Sequence, residues 1–308
     1  MENNIENDTQ LDYEIDLREL FGVLWAGSKK IIAITAIFAF ISVIYALSVP
    51  DQFKASALLA PAQSDSSGLS SLGQFSGLAS LAGVTLGGGE SSEKQIAQEI
   101  MKSWSFIEDF IGDNDLLVEL VAAKGWNKGS NELQIDEDVY DAENKQWLIE
   151  NEFGVLGPPS SWQLFQAFSQ RLEVSEDKSG LVTVSIEFYS PQIAKQWLDM
   201  FVAAINAHMQ QRQMLKVSNN INFLQAQIEK TSIAEMREVL YSIIEEQTKN
   251  KMLAEASPEY VFVAVSPSMV PEKKSQPQRA LICILGTLFG GIFSVLLVLV
   301  MHYARKYY

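Results

Sequence analysis

The sequence predicts an α+β membrane protein: two transmembrane helices flank an extracytoplasmic α+β domain that carries a long extended helix or helical hairpin. Three observations predict it. Two uncharged apolar runs, Ile31 to Val49 and Ala280 to Met301, stand towards opposite ends of the 308-residue chain. Between them, segments such as Val182 to Phe188 alternate apolar and polar residues, as a half-buried strand requires. From Gln192 to Ser257 the chain then contains neither glycine nor proline.

The composition sets the outer limits. With 47% hydrophobic and 20% charged residues the chain can build a core and is not of disordered type. A formal charge of -15 repels nucleic acid and anionic membrane surfaces, so neither is expected as a broad electrostatic partner. The one cysteine, Cys283, lies inside an apolar run and excludes an intrachain disulfide.

Residues 1–30 are acidic and read as a cytoplasmic lead. From Tyr13, the spacing of Ile15, Leu17, Leu20, Phe21, Leu24 and Trp25 suggests either a short amphipathic helix at the membrane surface or a solvated lead-in. Residues 31–49 follow directly on Lys29 and Lys30, and as a helix they reach ~28 Å, enough to span. Ala46-Leu47-Ser48 resembles a signal-peptide cleavage site, but the long acidic lead argues against one. Lys29 and Lys30 before the first helix, with Arg305 and Lys306 after the second, place both termini in the cytoplasm. Lys273, Lys274 and Arg279 oppose that signal, yet a loop as long as 50–279 crosses largely regardless of charge.

Within the loop, Asp51 to Pro61 reads as a strand. Residues 64–92 are rich in glycine and serine but carry apolar residues at regular intervals, as a pure linker would not; they read as a mobile loop that docks onto a neighbour, with a loosely packed part of the domain as the alternative. Ser92 to Ile111 has the spacing of one amphipathic helix, and 112–160 looks irregular and acidic. Trp126, Trp147 and Trp162 are read as core residues, with a sugar-binding platform as the alternative. Trp162 to Arg171 is helical, Arg171 to Val174 and Leu181 to Phe188 form a hairpin, and Tyr260 to Val265 is a further strand. Because the strands at 51–61 and 260–265 each adjoin a membrane helix, their sheet is expected at the membrane-proximal base.

The helical region 191–257 opens with Ser190-Pro191 and closes at Ser257-Pro258. As one helix it would measure ~100 Å. Ser232-x-x-Glu235 reads as a capping box that starts a new helix after Thr231, with Ser218-Asn219-Asn220 as the other place to bend. One narrow apolar stripe on so long an element needs a returning helix and neighbouring copies to cover it, which predicts a homo-oligomer. In the segment 266–277, Pro267, Pro271 and Pro277 forbid a helix and tie the domain stiffly to the second span. That span, 280–301, carries Gly286-x-x-x-Gly290 with Gly291 beside it, a face where another helix can approach closely. These six residues are the expected oligomer or polymerase contacts.

No catalytic constellation is present. His208 and His302 are separated by the membrane, one cysteine makes no metal cluster, no Gly-Lys pair supports a P-loop, and Glu245-Glu246 reads as a solvated helix face. No enzyme activity, cofactor or metal is expected.

The order of parts resembles the bacterial polysaccharide co-polymerases, the Wzz-type chain length determinant proteins: a cytoplasmic lead with Asp12-Tyr13-Glu14-Ile15-Asp16-Leu17-Arg18-Glu19-Leu20, a span, an α+β loop with a very long helix, then a proline segment entering a Gly-x-x-x-Gly span. The family's proline motif is shifted here, at Ser275-Gln276-Pro277-Gln278-Arg279. The resemblance implies an inner-membrane homo-oligomer with a periplasmic domain. It further implies that the assembly sets the modal length of O antigen or a related polysaccharide, acting with a Wzy-type polymerase on a lipid-linked polysaccharide. Relatives in capsule export often add a cytoplasmic tyrosine kinase; the tail 302–308 is expected to carry none. An adaptor for capsule or exopolysaccharide export with a separate kinase, and a two-helix membrane sensor, are the rival readings.

Overall fold

The computed structural model describes residues 17–62, 89–150 and 154–306. The expected docking loop at 64–92 and the start of the amphipathic segment at Tyr13 and Ile15 fall mostly outside them. The chain divides into two compact units, residues 51–275 and the two terminal segments together, 1–50 with 276–308.

The larger unit is built on a four-stranded antiparallel sheet, β1 (Phe53–Pro61), β6 (Leu172–Glu176), β7 (Val182–Phe188) and β8 (Phe262–Ser266), in the order β6-β7-β1-β8. Strand β1 pairs with β7 from Phe53 opposite Phe188 to Leu59 opposite Val182. On its other side β1 pairs with β8 across a bulge between Leu58 and Leu59. Period two sends Ala55, Ala57 and Leu59 inward from β1, and Val182, Val184, Ile186 and Phe188 inward from β7. Asp177 makes the β6–β7 turn: its Oδ1 accepts from the N–H groups of Ser179 and Leu181, and Gly180 takes a φ of +83°.

Helices α3 (Gly89–Met101), α4 (Trp104–Asp113), α5 (Leu117–Ala122), α6 (Ser161–Ser169) and the first half of α7 (Pro191–Lys230) supply the rest of the core. Its centre is aromatic: Phe201 of α7 packs edge-on to Phe106 and Phe110 of α4, and Trp197 lies 4.3 Å from Phe188 of β7, centroid to centroid. Helix α6 starts with a complete capping box, Ser160 with Gln163. The single helix expected over 92–111 is two helices, broken at Lys102 and Ser103. The stretch expected to be irregular contains α5 and two small hairpins, β2 (Ala123–Asn127) with β3 (Glu132–Ile135) and β4 (Tyr140–Asp141) with β5 (Gln146–Trp147).

Ser190 caps α7, accepting the Ile193 N–H, and Pro191 occupies its first turn. The helix runs for 40 residues, straight through Ser218-Asn219-Asn220. It ends at Thr231, whose hydroxyl donates to the Gln227 carbonyl at 2.7 Å, and α8 (Ala234–Glu255) begins after an extended Ile233. The break falls where the sequence puts it, but the expected Ser232–Glu235 capping box does not form. The helix starts beyond Ile233, which places Ser232 one residue too early for the cap. Helix α8 then returns along the second half of α7.

Candidate functional site

Three regions carry the sequence-predicted contact residues or expose unpartnered apolar surface. The first is the membrane pair. In the terminal unit, α2 (Ser28–Ser48) and α9 (Arg279–Lys306) both have the length and hydropathy to cross a bilayer. They pack antiparallel along a stripe that repeats every fourth residue of α9: Gly286, Gly290, Ser294 and Val298. A Cβ added to Gly286 would lie 2.5 Å from Ser42 Cβ, and one on Gly290 would lie 2.4 Å from Phe38 Cβ. Ser294 faces Thr35, with the two hydroxyl oxygens 3.3 Å apart. At the far end a Cβ on Gly27, just before α2, would meet Val298 Cγ1 at 2.4 Å. Helix α1 (Leu17–Ala26) joins this end of the pair.

Small residues on one stripe let two backbones approach, which gains contact that lipid supplies less well. The sequence reading reserved Gly286, Gly290 and Gly291 for another copy or a polymerase. In the structure Gly286 and Gly290 receive the chain's own α2 instead. Only Gly291 of the three faces open space, with nothing within 4 Å of an added Cβ.

The second region is the proline segment. Pro267 is exposed and Pro271 half-buried, while Pro277 is buried after a cis peptide bond. Between the first two, the buried Ser268 donates its hydroxyl to Asp199 of α7, which also accepts from Lys195 Nζ at 2.5 Å. The next residue, Met269, is 77% exposed. The segment is fastened again where Lys274 pairs with Asp51 at 3.0 Å and the Ser275 N–H donates to the Gln52 carbonyl at 2.8 Å. It is thus an extended strap held at both ends, with an exposed apolar middle.

The third region is the α7–α8 hairpin. Asn206, 3% exposed, locks its root: Oδ1 accepts the N–H groups of Val261 and Phe262, both at 2.9 Å, and Nδ2 donates to the Phe262 carbonyl at 3.0 Å. One turn later Gln210 Nε2 donates to the carbonyls of Ala254 and Ser257, at 2.8 and 3.1 Å, which satisfies the C-terminal end of α8. Beyond Gln210 only Val217 of α7 is fully buried. Leu215 and Phe223 on α7, and Ile233, Met236, Val239 and Ile243 at and along α8, remain exposed.

The tryptophans do not form the platform considered from sequence. Trp126 packs edge-on to Phe53, Trp147 lies against Tyr140, and Trp162 lies against Trp104 and Phe165. Among the described residues, no group of three or more His, Cys, Asp or Glu side chains is arranged to hold a metal. Outside the membrane spans, burial and the nearby Glu93 carboxylate push the Tyr260 hydroxyl above its ordinary range. Hydrogen bonds from Lys94 and Gln98 hold the Glu176 carboxyl low and tie α3 to β6. These are structural ties between elements of the larger unit.

A family model described as Wzz, chain length determinant protein, matches residues 13–113. Among solved structures, a full-length bacterial polysaccharide co-polymerase aligns at 15% identity over 95% of this chain and 99% of its own, with a TM-score of 0.38. A fragment of WzzB, the polysaccharide co-polymerase from Salmonella Typhimurium, aligns at 12% identity over 74% of this chain and all of its own, with a TM-score of 0.31. No curated protein matches.

Proposed function

Taking the chain as a Wzz-type chain length determinant protein, the family matched over residues 13–113, we propose that it regulates the modal length of lipopolysaccharide O antigen, or of a related surface polysaccharide. It acts as an oligomeric scaffold in the inner membrane beside a Wzy-type polymerase that extends a lipid-linked chain. Both termini lie in the cytoplasm and residues 50–279 in the periplasm.

The observation that carries this reading, beside the family match, is the α7–α8 hairpin. Its lower half is fixed to the core by Asn206 and Gln210, while its outer half exposes Leu215, Phe223, Ile233, Met236 and Val239 to solvent. Burying a large apolar side chain is worth about 1.5–3 kcal/mol, and several of them left exposed on one hairpin point to a contact surface. Copies of the chain set side by side cover it. Gly286 and Gly290 serve that assembly indirectly, by holding α2 against α9 so that each copy presents a rigid pair. Gly291 and the strap with Pro267, Pro271 and Pro277 offer the outward contacts to another copy or to the polymerase.

The test is a gel of lipopolysaccharide from a strain lacking the chain, beside the same strain complemented with it. A random ladder that collapses to a tight modal band on complementation supports length control. Loss of all polymer in the deletion strain indicates an essential synthetic role instead. An unchanged ladder overturns the O-antigen reading and directs the same comparison to capsule or exopolysaccharide.

A further inference from the structure

We propose that the two outer faces of the α7–α8 hairpin are complementary in charge, so that copies dock head to tail, the basic face of α7 on one copy against the acidic face of α8 on the next. The inference rests on the oligomer reading for its partner, but it stands on charge placement and not on the exposed apolar residues. The seam between the helices fixes which faces point away. Val217 of α7 is buried, with Ile221, Leu224 and Ile228 half-buried at the same helical spacing, and Leu240, Ile244 and Gln247 are half-buried on α8. At ~100° per residue, Arg212, Lys216 and Lys230 lie about 100–140° round α7 from that seam, and Glu235, Glu238 and Glu245 about 140–160° round α8. All six are exposed.

Beyond Gln210, α7 sets the single carboxylate of Glu229 against its three cations. On α8 the outer face holds Lys249 as its one cation, and the half-buried Glu246 adds a fourth carboxylate; Arg237, Lys251 and Glu255 lie within about 60° of the seam. Among the described residues, none of the six exposed charges forms an ion pair within its own chain. Height matches as well as sign. Lys230 ends α7 and Glu235 lies in the first turn of α8, so both stand at the tip. Lys216 stands ~21 Å below the end of α7, and Glu245 and Glu246 stand ~17–18 Å below the start of α8, a difference that a lysine side chain spans. Copies held in one membrane meet side by side, so Lys230 faces Glu235 of the next copy and Lys216 faces its Glu245. A contact of α7 with α7, or of α8 with α8, would set like charges together. Exposed ion pairs add little affinity; what they supply here is polarity, because the mismatched orders are penalised. A free anionic polymer would fit the cations of α7 but leaves the carboxylates of α8 without a role.

The experiment uses the full chain in detergent micelles, with oligomer size read by light scattering and the fold checked by circular dichroism. One variant reverses α7, Arg212→Glu/Lys216→Glu/Lys230→Glu, and another reverses α8, Glu235→Lys/Glu238→Lys/Glu245→Lys. Each alone should keep its fold, since the side chains are exposed, and should need at least about tenfold more protein to assemble. Mixing the two variants in equal amounts should restore assembly, because each reversed face then meets its opposite on the other chain. A chain that carries both reversals should also assemble. Assembly of both single variants at wild-type strength overturns the contact. So does recovery in the doubly reversed chain without recovery in the mixture, which would make the charges act within one copy. Weakening by the α7 variant alone, with the α8 variant unaffected, overturns it as well and turns the α7 face towards an anionic partner. A wild type that stays monomeric refutes the oligomer reading together with the contact, whereas a wild-type oligomer indifferent to both reversals refutes the contact and leaves that reading standing.

Discussion

Gly290→Ala and Gly291→Ala are neighbouring substitutions of the same chemistry with opposite expected outcomes. A Cβ on Gly290 would stand 2.4 Å from Phe38 Cβ and 2.8 Å from Phe38 Cγ, whereas one on Gly291 meets nothing within 4 Å. Carbon atoms in good contact sit about 3.5–4.0 Å apart, so Gly290→Ala forces α9 back from α2 by roughly 1 Å and loosens the whole stripe. Overpacking of this kind costs about 1–3 kcal/mol, which lowers the paired fraction by a factor of about 5 to 150. Gly291→Ala disturbs no contact and favours the helix by up to ~1 kcal/mol. The pairing is read by oxidative crosslinking of Thr35→Cys to Ser294→Cys in a Cys283→Ser chain, because the two native hydroxyls are 3.3 Å apart. Gly290→Ala should slow or abolish the crosslink in membranes, and Gly291→Ala should leave it at the parent rate. Phe38→Gly should rescue Gly290→Ala, and Phe38→Ala should not, since the nearest atom is the Phe38 Cβ itself. Equal crosslinking in the two alanine variants would refute the assignment of Gly290 to the intrachain pair.

Asn206→Ala leaves the amides of Val261 and Phe262 and the Phe262 carbonyl without their buried partner, so a loss of roughly 2–5 kcal/mol is expected in denaturant unfolding of the full chain. Met236→Glu with Ile233→Glu changes exposed side chains only, so the fold should hold while the oligomer falls apart in light scattering and the modal band broadens. Hydrogen bonds from Lys94 and Gln98 hold the Glu176 carboxyl below its ordinary 4.5, so its tie to α3 is fully present above that value and is lost as pH falls through the lowered one. Amide exchange in α3 should therefore quicken on acidification in the wild type, and Glu176→Gln should show the faster exchange already at neutral pH with a flatter pH profile.

The parts of the fold legible in the sequence are those set by a single strong term. An uncharged run of that length forms an apolar helix with little help from its neighbours, and the helices Ser28–Ser48 and Arg279–Lys306 lie close to the runs expected at 31–49 and 280–301. Of the two places where the sequence allowed the 66-residue helical pattern to bend, Ser218-Asn219-Asn220 stays helical and Thr231-Ser232 breaks, though without the capping box that pointed to it. The small hairpins at 123–147 were not. Their strands are two to five residues long, too short for alternation to register, and their turns depend on local side-chain bonds. Asn127 Oδ1 accepts the Gly129 N–H at 2.8 Å, Asp141 Oδ1 accepts from Glu143 and Asn144, and Asn131 and Lys145 take positive φ. Asn127-Lys128-Gly129 was the signal that could have found the first of them. The break at Ser103 was hidden for another reason: Ile96, Ile100, Trp104 and Ile107 keep helical spacing across it.

The candidate contacts were legible as residue types but not as partnerships. A Gly-x-x-x-Gly stripe states that a helix can come close, and nothing in its spacing states whose helix. That choice is made by Phe38 and Ser42, which stand one turn apart on α2 and fit the gaps over Gly290 and Gly286. Tertiary packing therefore spends the strongest small-residue signal inside one copy. For the assembly proposed above, what remains for contact between copies is weaker in sequence and larger in area: Gly291, the exposed middle of the strap, and the apolar residues of the hairpin beyond Gln210. Each of these hairpin side chains is already part-covered in the single chain, so its burial returns only a fraction of the full transfer energy, against an association cost of about 4–15 kcal/mol. A single pairwise contact through two or three of them would be weak. In the homo-oligomer proposed above, closure into a ring, with every copy making the contact twice and the membrane holding all copies in one plane, would convert the same residues into a stable assembly. Glutamates at Ile233 and Met236 are therefore expected to act on the whole ring at once, so that mixing variant and wild-type chains should broaden the modal band sharply with the variant fraction. A linear response would mean that the hairpins act singly.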